Sequence, residues 1–393
     1  MLTFSPYDYA VHEDPYPTYA QLRREAPAYR NDELDFWALS LHTDVMAAFH
    51  DSATFSNSHG VSLDRLASGP HAHKTMSFLA MDPPRHTRMR SLVSRGFTPR
   101  RVNDLEPRIH ELAAGYLDEG MERGSFDFIA DFAARLPMDV VSELMGVPAA
   151  DRDELRRLAD LVLHREEGVE DVPPAGIDAA LTLAVYYAEM VAERRRARTD
   201  DLSSALLDAE IDGDRLTDDD IVSFLFLMVV AGNETTTKLL GNAAYWAARF
   251  PDQREAVWAQ GVTVGDWVEE TLRYDGSTQM LARVTLNDVT LHGQTIRAGD
   301  RVLLLIGSAN RDAGAFDDAD NYVLGRDTSA MASFGFGRHF CLGAPLARLE
   351  ARVALQLVID RCASYEIDFD RAARVHSTNV RGFSSLPVKV VPR

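Results

Sequence analysis

"ASFGFGRHFCLGAPLARLEA", residues 332–351, sets one of the chain's two cysteines among three glycines, directly ahead of a helical pattern. Gly335, Gly337 and Gly343 bracket Cys341, and glycine, lacking Cβ, lets backbone take unusual dihedrals and approach a partner closely. Pro345 opens "PLARLEARVALQLVID", in which Leu346, Leu349, Val353 and Leu357 recur at helical spacing; proline suits a first helical turn. Cys341 is therefore expected just before a helix N-terminus, where macrodipole and free amides favour a thiolate over a thiol. Taken alone, a single cysteine in an apolar setting reads equally as a small buried hydrophobe. The remainder of the chain decides between the two.

With 393 residues, 46% hydrophobic and 26% charged, the sequence has the composition of a globular protein with a large core. It contains no Pro/Gly/Ser-rich linker or internal repeat, so a single domain over 1–393 is expected. Two cysteines, Cys341 and Cys362, exclude a disulfide framework and point to a reducing compartment. Cys362 falls at the end of an apolar helical pattern, where packing accounts for it. The first residues lack a basic start followed by an apolar core, so no signal peptide is expected. The longest apolar stretch, "IVSFLFLMVVAG" at 221–232, suits a buried helix and not a membrane span. With 41 Lys+Arg against 60 Asp+Glu the formal charge is −19, which argues against a nucleic-acid partner. The run "ERRRAR" at 193–198 is expected to be the solvated end of a helix.

Helical spacing dominates, near 15–27, 85–95, 103–123, 137–146, 151–164, 176–198, 216–249, 251–258, 265–274 and 344–360. Strand-like alternation is confined to 35–41, 284–306 and 384–392, with His292 and Gly293 marking a hairpin turn. The fold class is mainly α with a small sheet. The pattern at 216–249 starts with Thr217 as a cap and three aspartates in the first turn, then becomes apolar nearly all round, as a helix crossing the interior does. Into it falls "AGNETTTK", whose glycine and polar side chains are costly in such a place. Such local violations are expected at functional sites. Gly232 and Thr235 share a face, and threonine hydroxyls can bond carbonyls a turn back; a polar seam between packed helices is the other reading. In "WVEETLRYDG", Glu270 and Arg273 are spaced for an ion pair along one face. In "MDPPRHTRMRSLVSRGFTPR", residues 81–100, His86 and Arg90 are one turn apart, which suits either an anion or solvent.

Together these pieces resemble the cytochrome P450 family of haem-thiolate monooxygenases, in particular its soluble bacterial members. "FGFGRHFCLG" at 334–343 matches the haem-binding loop F-G-x-G-x-H-x-C-x-G at every fixed position, "AGNETT" at 231–236 the oxygen-activation segment, and "ETLR" at 270–273 the E-x-x-R pair. "DPYPTYAQLRREAP" near the start, "GSANRDAGAF" at 307–316 and "RGFSSLPV" at 381–388 extend the similarity over essentially the whole chain. The resemblance implies a large helical domain with a small β-sheet region, holding haem b between the central and proximal helices.

It further implies that Cys341 is the axial thiolate and metal ligand, with Gly343 supplying an amide to the sulfur and Phe334 packing by the proximal haem face. His86, Arg90, Arg283 and His339 match positions that bind haem propionates. Glu270 and Arg273 would buttress the cysteine loop, with Arg326 a candidate third member where "DADNY" offers Asn321. Gly232 would clear space for O2, Thr235 hydrogen-bond it or its water, and Glu234 feed protons from solvent, while Thr236 and Thr237 stabilise the helix locally. Arg338, with Arg88, Arg95 or Arg100, would help dock an acidic electron donor. No flavin, iron–sulfur or dinucleotide motif is present, so ferredoxin or flavodoxin with its reductase would deliver electrons from NAD(P)H. The implied activity is hydroxylation or epoxidation of a mostly apolar small molecule by a cytoplasmic, monomeric enzyme of secondary metabolism. Substrate contacts are expected in 57–80, 160–180, 278–282 and 382–386. A P450-fold peroxygenase or coupling enzyme, or a non-catalytic haem-thiolate sensor, are the alternatives.

Overall fold

The computed structural model describes residues 2–94 and 97–393. Its axis is the helix Asp218–Arg249, opened by a reciprocal cap in which Thr217 accepts from the Asp220 amide and Asp220 from that of Thr217. Ile221, Phe224, Leu225, Val229, Leu240 and Ala243 are all buried along it, so two apolar clusters meet on this one helix. The cluster on its N-terminal half takes residues from Arg85–Val93, Arg135–Met145, Arg152–Leu163 and Pro174–Arg196. The other, on its C-terminal half, takes residues from Glu106–Glu122, Val264–Tyr274 and Ala344–Arg361. Ala344–Arg361 begins with Pro345 in its first turn, as its sequence predicts.

A five-stranded sheet flanks this body in the order Ala28–Asn31, Phe36–Leu39, Arg301–Leu304, Leu281–Thr285, Phe55–Ser56. The first and last pairings are antiparallel, whereas Arg301–Leu304 runs parallel to Phe36–Leu39. Arg283 stands opposite Val302 in this sheet, which fixes its position beside the helical core. A second sheet joins Cys362–Ile367, Pro387–Pro392 and Ser125–Asp127. Cys362 is thus the first residue of a strand and not the end of the helix, which stops at Arg361 because the chain turns to pair with Pro387–Pro392. It is fully buried, as packing alone requires.

Two buried ionic knots hold distant segments together. Asp275, with no exposed surface, accepts from Tyr16 Oη at 2.6 Å, Trp246 Nε1 at 2.8 Å and Arg381 Nε at 2.6 Å, and the Arg381 and Arg374 guanidiniums hold its carboxyl far below the usual carboxylate range against the cost of burial. Asp64 and Arg165 form a bidentate pair at 2.6 and 3.1 Å, pinning the turn after Arg152–Leu163 to the segment around 57–70. The basic run at 193–198 is not simply a solvated end. Arg194 turns inward to Asp201 at 2.6 Å and to the Gly146 carbonyl at 2.9 Å, and Arg195 and Arg198 pair with Asp218 and Asp208. Among the described residues one helix, Pro174–Arg196, is long and apolar enough to cross a bilayer, a feature the sequence reading passed over; it packs on Arg152–Leu163 and on the central helix.

Candidate functional site

The cysteine loop takes its shape from backbone. Gly335 and Gly337 sit at φ +65° and +66°, a region that side chains rarely adopt, and the Cys341 amide closes the loop by donating to the Phe334 carbonyl at 2.9 Å. The amides of Gly343 and Ala344 point back at the sulfur, and a Cβ on Gly343 would come within 4.0 Å of Sγ. The ring of Phe334 lies beneath the Arg348 guanidinium at 4.5 Å, itself held by Glu269 at 2.6 and 2.9 Å.

Cys341 is exposed by area, yet its surface opens into an internal cavity of about 250 Å³. Enclosure by surrounding atoms pushes the thiol up, opposed by the two amides and by Arg90 and Arg348. The helix-terminus amides that the sequence leads one to expect are in place, and they act on the sulfur against the cost of its enclosure. Bonding to a metal cation is what removes the proton from such a sulfur.

Above the sulfur, the cavity is closed by the central helix. Gly232, Thr235 and Thr236 line it; a Cβ on Gly232 would meet only Val141, at 3.3 Å. Thr235 Oγ1 donates to the Ala231 carbonyl at 2.8 Å, and Ser277 Oγ donates to the Thr235 carbonyl at 2.6 Å. Both bonds intrude on the helix ladder where the sequence breaks local rules. Thr237 is engaged elsewhere, donating to the Ala133 carbonyl at 3.3 Å, so Thr236 faces the site and Thr237 ties two helices. Glu234 does not line the cavity. It is buried, 3.0 Å from Lys238 one turn later.

Four cationic or ionisable groups with incomplete partners gather here: Arg283 and His339 line the cavity, His86 packs behind His339 with ring centroids 4.1 Å apart, and Arg90 donates to the Phe340 carbonyl at 2.7 Å. Both ring nitrogens of His86 and of His339 are buried without a hydrogen-bond partner, as is Nη1 of Arg90. Arg283, 2% exposed, donates only to its neighbour's carbonyl, at 2.7 Å, and forms no ion pair among the described residues. Burial lowers it to about 10, and burial together with Arg90 and Arg338 lowers His86 to about 4. Buried polar groups are ordinarily satisfied. Donors left open around one cavity fit a molecule bearing carboxylates, and the small-residue cradle at Cys341 fits a flat group set against the sulfur.

The walls beyond are apolar: Phe78, Phe97, Phe224, Leu227, Met228 and Leu281. Of the four expected substrate segments, 57–80 and 278–282 contribute, whereas no residue of 160–180 or 382–386 lines the cavity. Phe224, Leu227 and Met228 were concealed by the continuous apolar pattern of the central helix. Arg88 is committed to Asp214, at 2.7 Å through Nη2, and so is not free for docking; Arg100 and Arg338 are exposed, and Arg95 lies outside the described residues.

Glu350, from the proximal helix, escaped the sequence reading. It is 1% exposed and lines the same cavity, and burial alone pushes its carboxyl from 4.5 up to about 8. A raised folded value means that the folded state holds the extra proton, so this stability is present in full below about 4.5 and lost as pH rises through about 8. The whole loss is roughly 5 kcal/mol, of which about 4 kcal/mol falls between pH 5 and 9. Denaturant unfolding at pH 5 and 9 should show the wild type losing that much more than Glu350→Gln; parallel behaviour would show that the carboxyl reaches water.

A long internal helix over a cysteine-bearing loop encloses an apolar cavity with unpartnered donors beside it, an arrangement that fits a flat anionic molecule. The family profile described as Cytochrome P450 matches residues 264–387. Cytochrome P450 123 of Mycobacterium tuberculosis is 57% identical over 393 residues, covering 100% of this chain and 98% of that protein. Vitamin D(3) 25-hydroxylase of Pseudonocardia autotrophica is 40% identical, covering 97% and 95%. The crystal structure of CYP109E1 from Bacillus megaterium in complex with testosterone superposes with a TM-score of 0.83 at 31% identity, covering 96% of this chain and 99% of that one. The chain belongs to the cytochrome P450 family, which implies a haem cofactor and, generally, redox partners.

Proposed function

We propose that the protein is a haem b monooxygenase that inserts one oxygen atom from O2 into a neutral, mostly apolar small molecule. Electrons come from NAD(P)H through a separate ferredoxin or flavodoxin and its reductase. The observation that carries this reading is one cavity lined by Cys341 below, Gly232 and Thr235 above, and the incompletely partnered Arg283 and His339, with His86 and Arg90 packed beside them. Haem, when bound, supplies the iron at which O2 is reduced and activated, with a thiolate ligand favouring O–O cleavage.

Cys341 would hold the iron through its sulfur, with the amides of Gly343 and Ala344 moderating charge on that sulfur. His86, Arg90, Arg283 and His339 hold the cofactor's two carboxylates by charge-assisted hydrogen bonds. Gly232 leaves room for a diatomic molecule. Thr235 offers its hydroxyl there once it releases the Ala231 carbonyl, and Glu234 supplies protons to it from the solvent side. The apolar walls exclude water and favour a neutral hydrocarbon-rich guest. The vitamin D hydroxylase and the testosterone complex among the relatives support a sterol-sized substrate. Glu234 and Thr235, both intact, favour O2 over peroxide as oxidant and turnover over sensing.

The test is the absorption spectrum of the dithionite-reduced, carbon monoxide-bound protein, followed by titration of the ferric form with vitamin D3 and testosterone. A strongly red-shifted Soret band and conversion to high spin support the reading; a band typical of histidine ligation ends it. Thr235→Ala is expected to keep the spectrum but divert about tenfold more reducing equivalents into hydrogen peroxide. Unchanged coupling would remove Thr235 from the relay.

A further inference from the structure

The helix Pro174–Arg196 is apolar enough to cross a bilayer, yet only 33% of its most apolar stretch is buried. Its inner face packs through Leu183, Tyr187, Met190 and Val191. The outer face presents Leu181 and Val185, one turn apart and 62% and 57% exposed. Ala188 and Ala192 continue that face, also in water, and their small side chains let another backbone come close. A contiguous apolar row left open to solvent marks an interaction surface, where single scattered residues do not.

Charge at the two ends of this row decides what covers it. Asp178 stands at one end and Arg196 at the other, both exposed and neither in an ion pair among the described residues. The other cations of the basic run are committed, Arg194 to Asp201, Arg195 to Asp218 and Arg198 to Asp208. Asp178 and Arg196 are 18 residues apart, five whole turns at 3.6 residues per turn, so they lie on one line along the helix. A second copy laid antiparallel on the same face sets its Arg196 over Asp178 and its Asp178 over Arg196, with both apolar rows between. The face is thus complementary to itself, as a two-fold contact requires, and the two helix dipoles oppose favourably. A lipid surface fits worse. Asp178, Glu189 and Glu193 share the exposed side of the helix with Arg196 as its one unpaired cation among the described residues, and anionic headgroups repel such a surface.

We propose that the outer face of Pro174–Arg196 is a self-association surface on which a second copy of this chain docks antiparallel, in place of the monomer that family resemblance implies. Leu181 and Val185 leave water against the alanines of the partner copy, and the two reciprocal Asp178 to Arg196 pairs fix direction and register. Glu189 lies within the row, near its own symmetry mate, and its charge holds the affinity down. A contact of one helix on one helix covers less than the roughly 1,200 Å² of a standard interface, so the dimer is reversible and forms as concentration rises. The inference does not depend on the monooxygenase reading, since no residue of this face lines the cavity.

Sedimentation velocity of the haem-loaded, full-length protein, from micromolar to near-millimolar concentration, tests this. Wild type is expected to pass from monomer to dimer as concentration rises. Leu181→Asp should weaken association about tenfold or more. Asp178→Arg alone, or Arg196→Asp alone, sets like charges against each other at both ends and should weaken it about tenfold. The double variant Asp178→Arg with Arg196→Asp should restore it, which neither parallel pairing nor unspecific aggregation can do. Glu189→Gln should tighten the dimer. All these positions are exposed, so every variant should keep the wild-type circular dichroism and absorption spectrum. Wild type that stays monomeric throughout, or a double reversal that fails to recover association, would overturn the proposal. Monomeric protein that instead co-sediments with phosphatidylcholine vesicles, and loses this in Leu181→Asp, would overturn it in favour of a lipid surface.

Discussion

Cys341→Ser is expected to fold and to lose the red-shifted Soret band of the reduced, carbon monoxide-bound protein completely, with oxygen insertion falling to background. The loop geometry does not depend on sulfur: the Cys341 amide bond to the Phe334 carbonyl at 2.9 Å and the left-handed Gly335 and Gly337 remain. Ligand chemistry does depend on it. The amides of Gly343 and Ala344, with Arg90 and Arg348, already pull the thiol toward ionisation against its enclosure, and a metal cation completes that ionisation. A serine hydroxyl is far less acidic and is a hard donor, so the same amides leave it neutral and a poor match for soft, electron-donating ligation. Circular dichroism should show native helix content while the spectrum changes. A persisting red-shifted band in Cys341→Ser would mean that another residue binds the iron.

The parts of the site readable from sequence are those with local causes. Two glycines, a cysteine and a proline-led helix lie within a dozen residues, so the loop's conformation is encoded where it is used. Thr217 and its aspartates cap the central helix for the same reason. His86 and Arg90 read from spacing only as a face suited to an anion or to solvent, and Arg283 and His339 came only through family resemblance, since nothing near them in sequence says that an imidazole or guanidinium will be left without a partner. Glu350 was invisible: it occupies a helix position where an acid usually faces water, and only the cavity wall it joins makes it unusual. The strands Ala28–Asn31, Ser125–Asp127 and Cys362–Ile367 were missed because they are short and of mixed polarity, and form by pairing with remote segments. The amides at Cys341 were legible because a helix N-terminus is written in the sequence, whereas the enclosure that opposes them is not.

Arg273→Ala is expected to destabilise the protein by about 3–5 kcal/mol, the cost of stranding one partner of a buried ion pair. Neither Glu270 nor Arg273 has side-chain surface in water, and they meet at 2.8 and 2.7 Å. Arg273 also donates to three carbonyls, those of Asn310 and Ala319 at 2.8 Å and Asn321 at 3.0 Å. Those carbonyls belong to the segment that leads into the cysteine loop, so the guanidinium stitches that segment to the helix Val264–Tyr274. Glu270 in turn accepts from the Val323 amide at 2.8 Å and lies 3.3 Å from Arg326 Nε; "DADNY" thus contributes two backbone carbonyls, those of Ala319 and Asn321, with Arg326 adding the second positive charge. Removing Arg273 leaves Glu270 with Arg326 as its only close cation among the described residues, and strips the Asn310 and Ala319 carbonyls of that donor, while the Asn321 carbonyl keeps Arg326 Nη2 at 3.1 Å. Arg273→Lys should restore little, since a single ammonium cannot reproduce a planar fork serving one carboxylate and three carbonyls. Because domains are stable by only about 5–15 kcal/mol, Arg273→Ala should unfold at markedly lower denaturant and retain haem poorly. Replacing both partners, Glu270→Met with Arg273→Leu, removes the stranded charge and should recover part of the loss, the remainder measuring the orphaned carbonyls. If Arg273→Ala unfolds within about 1 kcal/mol of wild type, well below the cost expected for a stranded buried charge, the pair is not what holds the cysteine loop in register.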